Sequence, residues 1–167
     1  STMVKAGVFL MVKLSPLYAI YPVTGFMVTS VGAITFLLAA LMAISQSNAK
    51  RVLAYSTISN LGLISACLGV GAPEAVWAAI FLILFHTVAK SLLFLCVGTA
   101  EHHIGSRNIE DMDLLFERIP RLARFMMLGI MCMFVAPFGM LIAKWATLVS
   151  FVETGNVALI ILLAFGS

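Results

Sequence analysis

An all-α membrane protein, built as a polytopic bundle of transmembrane helices, is the fold class this sequence predicts, and three observations predict it. Hydrophobic residues make up 62% of the chain and charged residues only 10%, whereas soluble domains carry about 25% charged residues. Mean hydropathy is +1.12, so the chain has too few polar groups to cover its own surface in water. The apolar residues also fall into long runs, and a helix needs about 20 such residues to cross a hydrocarbon core ~30 Å thick.

The spans can be placed in order. A first helix runs from the start to about Leu14 and ends at Ser15-Pro16, because the residue before a proline disfavours the helical region. A second covers about 25–46. A third covers about 49–71, with Ser47 or Asn48 as N-cap and Pro73 beyond its end. A fourth starts near Glu74 and runs to about Ala100 or further. A fifth covers about 120–150, with Pro120 in its first turn. A sixth begins near Asn156. The opening residues lack the basic start and cleavage site of a signal peptide. Both ends lie in apolar runs, so the expectation is one fragment, 1–167, of a larger transmembrane domain.

Charge placement predicts orientation. Lys50, Arg51, Arg107, Arg118, Arg121 and Arg124 share one side, and Lys13, Glu74 and Glu153 the other. Lys and Arg favour the cytoplasm, so the loops at 47–51 and 101–124 are predicted cytoplasmic. The net charge of +3 is small and nothing in it suggests nucleic acid. Cys67, Cys96 and Cys132 stand alone in apolar stretches, without the spacing of a disulfide or an iron–sulfur site, and read as small buried residues. The polar connection from Glu101 to Asp113 contains His102 and His103. Adjacent helical residues do not converge on one ion, so the stretch reads as an interfacial loop with a short helix near 109–116, and no metal site is predicted.

Four ionisable residues remain inside the spans: Lys5, His86, Lys90 and Lys144. A lysine near the centre of a membrane helix costs about 2.5–3.5 kcal/mol on insertion scales. None has an acid at helical spacing, so each must face the bundle interior, water or a partner. Desolvation disfavours a buried ammonium, and histidine titrates close to neutral pH, so these are groups able to exchange protons. His86 and Lys90 are four apart and share one helix face. Like charges repel there, so the histidine is neutral when the lysine is charged.

Two polar features accompany them. Tyr55, Ser56, Ser59 and Asn60 give the third helix a polar lining, in which 56, 59 and 60 share a face. Water-lining and interhelical hydrogen-bond glue are both open readings. Pro137 and Gly139 fall mid-span in the fifth helix, with Lys144 further along. Proline removes a backbone donor, so a simple kink is one reading. A broken helix beside an ion site, as transporters use, is the other, and Lys144 favours it.

Ser47 to Gly62, SNAKRVLAYSTISNLG, resembles the KRxLAYST(I/M)SxxG signature of antiporter-like subunits. These occur in respiratory complex I, Mrp-type antiporters and energy-converting hydrogenases. HTVAKSLLFL, starting at His86, is similar to that family's HxxxKxLLFL, and TMVKAGV, starting at Thr2, to its ATMVxAGV. The resemblance implies two inverted five-helix repeats in the full protein, this chain supplying most of the second, with its fifth helix discontinuous. It implies that Lys5, His86 and Lys90 belong to a central proton-transfer axis and Lys144 to its terminal half-channel. Some members carry a second histidine where this chain has Leu82, one turn before His86, so that link is absent. Ala136 to Trp145 and the loop GSRNIEDMDLLF look most like the large membrane subunit of Ech-type hydrogenases.

The function implied is proton (or sodium) translocation through the Lys5, His86, Lys90 and Lys144 relay, in a redox-driven complex of the energy-converting hydrogenase or NADH-quinone oxidoreductase type. No cofactor is expected in this chain. Iron–sulfur and nickel–iron or flavin centres are expected only in partner subunits, which would be other membrane subunits and a peripheral redox arm. The location implied is the inner membrane of a prokaryote. The rival readings are a structural membrane scaffold and a stand-alone Mrp-type sodium/proton antiporter subunit.

Overall fold

The computed structural model describes residues 2–112, 115–134, 140–153, 155 and 157–166. The chain forms α1 (Thr2–Ile20), α2 (Pro22–Ile44), α3 (Ala49–Val70), α4 (Pro73–Ile104), a 3-10 turn (Glu110–Met112), α5 (Leu115–Arg118), α6 (Pro120–Phe134), α7 (Met140–Glu153) and α8 (Val157–Gly166). Helices α1 to α4 are each long and apolar enough to cross a membrane. In hydrocarbon every backbone group must find its partner within the protein, which a helix does by itself. The fold is therefore all-α and polytopic.

The first helix overruns its predicted end. It continues through Pro16 to Ile20, and Tyr21 alone links it to α2, whose first residue is Pro22. A membrane helix tolerates an internal proline where its neighbours cover the freed carbonyl. Here Ser15 is buried and Ala19 lies against Gly71. Lys13 consequently lies about two turns before the end of α1 instead of at its end, with its ammonium 5.4 Å from the Phe9 ring centroid. The fourth helix also runs past Ala100. Glu101, His102 and His103 form its last turn, which Gly105 closes at φ +79° with its N–H donating to the Glu101 carbonyl. Asn48, not Ser47, caps α3, accepting from the Lys50 and Arg51 N–H groups at 3.1 and 3.4 Å. Pro137 and Gly139 lie outside the described residues, as does Asn156.

Helices α2 and α3 make the closest approach. A Cβ added to Gly32 would lie 2.5 Å from the Ala66 nitrogen, and one added to Gly62 would lie 2.6 Å from the Phe36 nitrogen. Only glycine lets the two backbones touch here, as small residues do between membrane helices generally. Helix α4 is the axis of the bundle and packs against α1, α3, α6 and α7. Around it a core of Val8, Phe36, Leu63, Ile64, Leu82 and Phe151 joins α1, α2, α3, α4 and α7. At one end, the α2–α3 turn meets the connection after α4 through a single antiparallel bridge, Asn48 with Asn108. The loops around 47–51 and 105–109 thus share one side, called the loop side below.

Candidate functional site

The structure gathers the intramembrane bases around α4. His86 and Lys90, one turn apart on α4, are 0% and 1% exposed, and Lys5 on α1 is 7% exposed. Lys144, on α7, is half-buried. Because α4 touches α1, α3 and α7, the other bases surround its inward face.

Lys90 is held by α3. Its Nζ donates to the Leu53 carbonyl at 3.3 Å and to Ser56 Oγ. Ser56 Oγ in turn reaches the Val52 and Leu53 carbonyls at 2.8 and 3.1 Å. Sequence position suggested a lysine at mid-depth. The Cα is mid-helix, but the ammonium meets α3 only about 6–10 Å below its first residue at ~1.5 Å per residue. Lys5 Nζ and both ring nitrogens of His86 have no hydrogen-bond partner among the described residues. Neither does a carboxylate pair with Lys5, His86 or Lys90 there, since the ion pairs among the described residues are Lys50 with Glu101 and Arg107 with Glu101.

The polar lining of α3 divides by role. Ser56 faces Lys90. Ser59 turns the other way and donates to the Phe36 carbonyl of α2 at 3.0 Å, which is interhelical glue. Asn60 donates to the Ser56 carbonyl of its own helix at 2.8 Å, leaving its buried Oδ1 unpartnered among the described residues. Tyr55 is half-buried. Two further polar residues escaped sequence reasoning. Thr147 and Ser150 are fully buried on α7, at three-residue steps from Lys144, and Thr147 Oγ1 donates to the Ala143 carbonyl at 2.9 Å while meeting Cys67 Sγ at 3.8 Å. That spacing was the signal that could have found them. Among the described residues no cluster of His, Cys, Asp or Glu has the makings of a metal centre.

A set of protonatable nitrogens in an apolar bundle can pass a proton by electrostatic coupling. Each charge raises the cost of the next one nearby. A proton arriving at one base therefore pushes on its neighbours.

A family model described as NADH:quinone oxidoreductase/Mrp antiporter, transmembrane, matches residues 1–167. A Staphylococcus aureus (strain MRSA252) protein that carries the name of antiporter subunit mnhA2 is 36% identical over 152 residues, covering 83% of this chain and 19% of that protein. NADH-ubiquinone oxidoreductase chain 5 of Paracentrotus lividus is 39% identical over 139 residues, 83% of this chain and 21% of that one. A Rhizobium meliloti (strain 1021) protein named for a probable role in a K(+)/H(+) antiporter is 43% identical over 129 residues, 77% of this chain and 13% of that one. The chain thus spans about a fifth or less of the length of these relatives.

Proposed function

The chain belongs to the NADH:quinone oxidoreductase/Mrp antiporter transmembrane family, and from that premise we propose that it carries protons across a membrane through Lys5, His86, Lys90 and Lys144. The observation that supports this most is the burial of three bases, Lys5, His86 and Lys90, on the packed helices α1 and α4 with, among the described residues, no carboxylate paired to any of them. A structural scaffold has no use for such a cluster, because intramembrane bases are expensive and mark ion pathways. The donor set favours protons over sodium. Sodium is a hard cation suited to oxygen ligands, as are the other hard cations, whereas the converging groups here are nitrogens.

In this reading the protein is a membrane subunit of a redox-driven complex. Electron transfer at iron–sulfur and nickel–iron or flavin centres in partner subunits shifts the charge of the relay electrostatically. The basic residues near 47–51 and 118–124 favour the loop side as cytoplasmic, in a prokaryotic inner membrane. The second reading, an antiporter subunit of the Mrp type, draws on the names of two of the relatives. The genes beside this one separate the two: hydrogenase or quinone oxidoreductase subunits, or a cluster of small antiporter subunits.

Lys90→Ala in the complete protein tests the relay. Ion uptake into vesicles should fall to background. Uptake at the parental rate removes Lys90 from the path.

A further inference from the structure

A cavity of about 760 Å³ runs between α3, α4 and α6 on the loop side. Its inner end is Ser56 and Lys90, and its outer end is Ile109, Met112 and Glu117. Between them the walls are apolar, with Val52, Leu93, Val97 and Ile130 among them. Two residues of that lining, Ala49 and Ile109, also belong to the clip that fastens the loop after α4. The Ala49 N–H donates to the Arg107 carbonyl and the Ile109 N–H to the Ser47 carbonyl, both at 3.0 Å. Glu101, from the last turn of α4, clamps the same point, one carboxylate oxygen on Lys50 of α3 and the other on Arg107 of the loop.

The geometry points to a gated access passage from the loop side to Lys90, with residues 105–112 as the gate and Glu101 as its latch. It rests on the reading that Lys90 exchanges protons, and it adds the route by which they reach it. Apolar passages of this kind block ions by excluding water and conduct when wetted. The loop can hinge at Gly105, where a positive φ of 79° suits glycine. Releasing Glu101 frees Arg107 and lifts Ile109 from the mouth. Ser56 and Lys90 then face water at the inner end.

Thiol labelling reads the gate directly. Val97, 2% exposed, lies two turns from Lys90 toward the mouth. The Val97→Cys variant of the complete protein, with Cys67, Cys96 and Cys132 replaced by alanine, is assembled in vesicles of known sidedness. The probe is membrane-impermeant methanethiosulfonate ethyltrimethylammonium. Labelling should proceed from the loop side, and Glu101→Gln should speed it roughly tenfold, the change expected on losing two partly exposed ion pairs. The bridge between 48 and 108 is a non-hydrogen-bonded pair, whose Cα atoms lie ~4.5 Å apart in such ladders, within disulfide reach. Oxidised Asn48→Cys/Asn108→Cys should abolish labelling at residue 97, read by mass spectrometry of the peptide that carries it, and reduction with dithiothreitol, removed before the probe is added, should restore labelling at that residue in the same sample, which controls for misfolding. Labelling indifferent to both changes, or arriving only from the opposite side, overturns the gate and leaves the role of Lys90 standing. Gated labelling together with undiminished uptake in Lys90→Ala supports the gate and overturns the relay.

Discussion

One methyl group at Gly62 should loosen the α2–α3 hairpin and, through it, the hold on Lys90. An added Cβ would lie 2.6 Å from the Phe36 nitrogen and 2.7 Å from the Gly32 oxygen, where ordinary contact starts at 3.4 Å. Both neighbours are backbone, so no rotamer relieves the clash, and the helices must part by about 0.8 Å (3.4 less 2.6). Overpacking of this kind costs about 1–3 kcal/mol. The same movement stretches the 3.0 Å bond from Ser59 to the Phe36 carbonyl, worth about 1 kcal/mol. The sum is roughly 2–4 kcal/mol, which is large beside a typical domain stability. Gly98→Ala is the matched control, because nothing lies within 4 Å of a Cβ there. It should be neutral or mildly stabilising, since alanine is the better helix former. Thermal unfolding of the purified protein in one detergent compares the two. The reasoning is refuted if Gly62→Ala melts where Gly98→Ala does.

Ser56→Ala leaves the Lys90 ammonium, among the described residues, with the Leu53 carbonyl alone at 3.3 Å; a hydrogen bond to a charged group is worth about 1.5–3 kcal/mol, so ion uptake should fall by roughly tenfold or more, while Ser56→Thr, which keeps a hydroxyl, should retain most of it. Asn48→Ala removes the cap of α3 and should cost about 1 kcal/mol, seen as a lower unfolding midpoint, and Asn48→Asp should hold close to the parent.

How much of this was legible before any coordinates follows from what each residue depends on. Hydropathy places the helices well because the bilayer sets their length. It misplaced the end of α1 because the steric bias against helix before proline is a preference, which packing against neighbouring helices overrides. Inside the bundle Ser15 is buried and Ala19 rests against Gly71, and the helix outlasts Pro16. That shift carried Lys13 from the end of the predicted helix into the interior of α1. The pairing of His86 with Lys90 was visible because an interval of four is a property of one helix. Which hydroxyl meets Lys90 was not. Ser56 and Ser59 share a face by spacing, and only the rotation of α3 against α2 separates them. That rotation is set by Gly32 and Gly62, whose role emerges when two backbones are brought together. Glu101 looked like one more loop acid. Its partners, Lys50 and Arg107, come from different segments, and no local pattern links them.

The central claim is that Lys90 works by releasing and regaining a proton, not by merely being positive. Lys90→Arg tests this most directly, because a guanidinium keeps the charge and does not deprotonate in proteins. The measurement is proton uptake by vesicles carrying the complete protein, followed with a pH-gradient dye and driven by the redox substrate or by a sodium pulse. The expected result is a loss as complete as that of Lys90→Ala, with an unchanged unfolding midpoint showing that the bundle still holds a cation there. Uptake retained by the arginine and lost by the alanine would show that a fixed charge suffices, and would contradict proton exchange at Lys90.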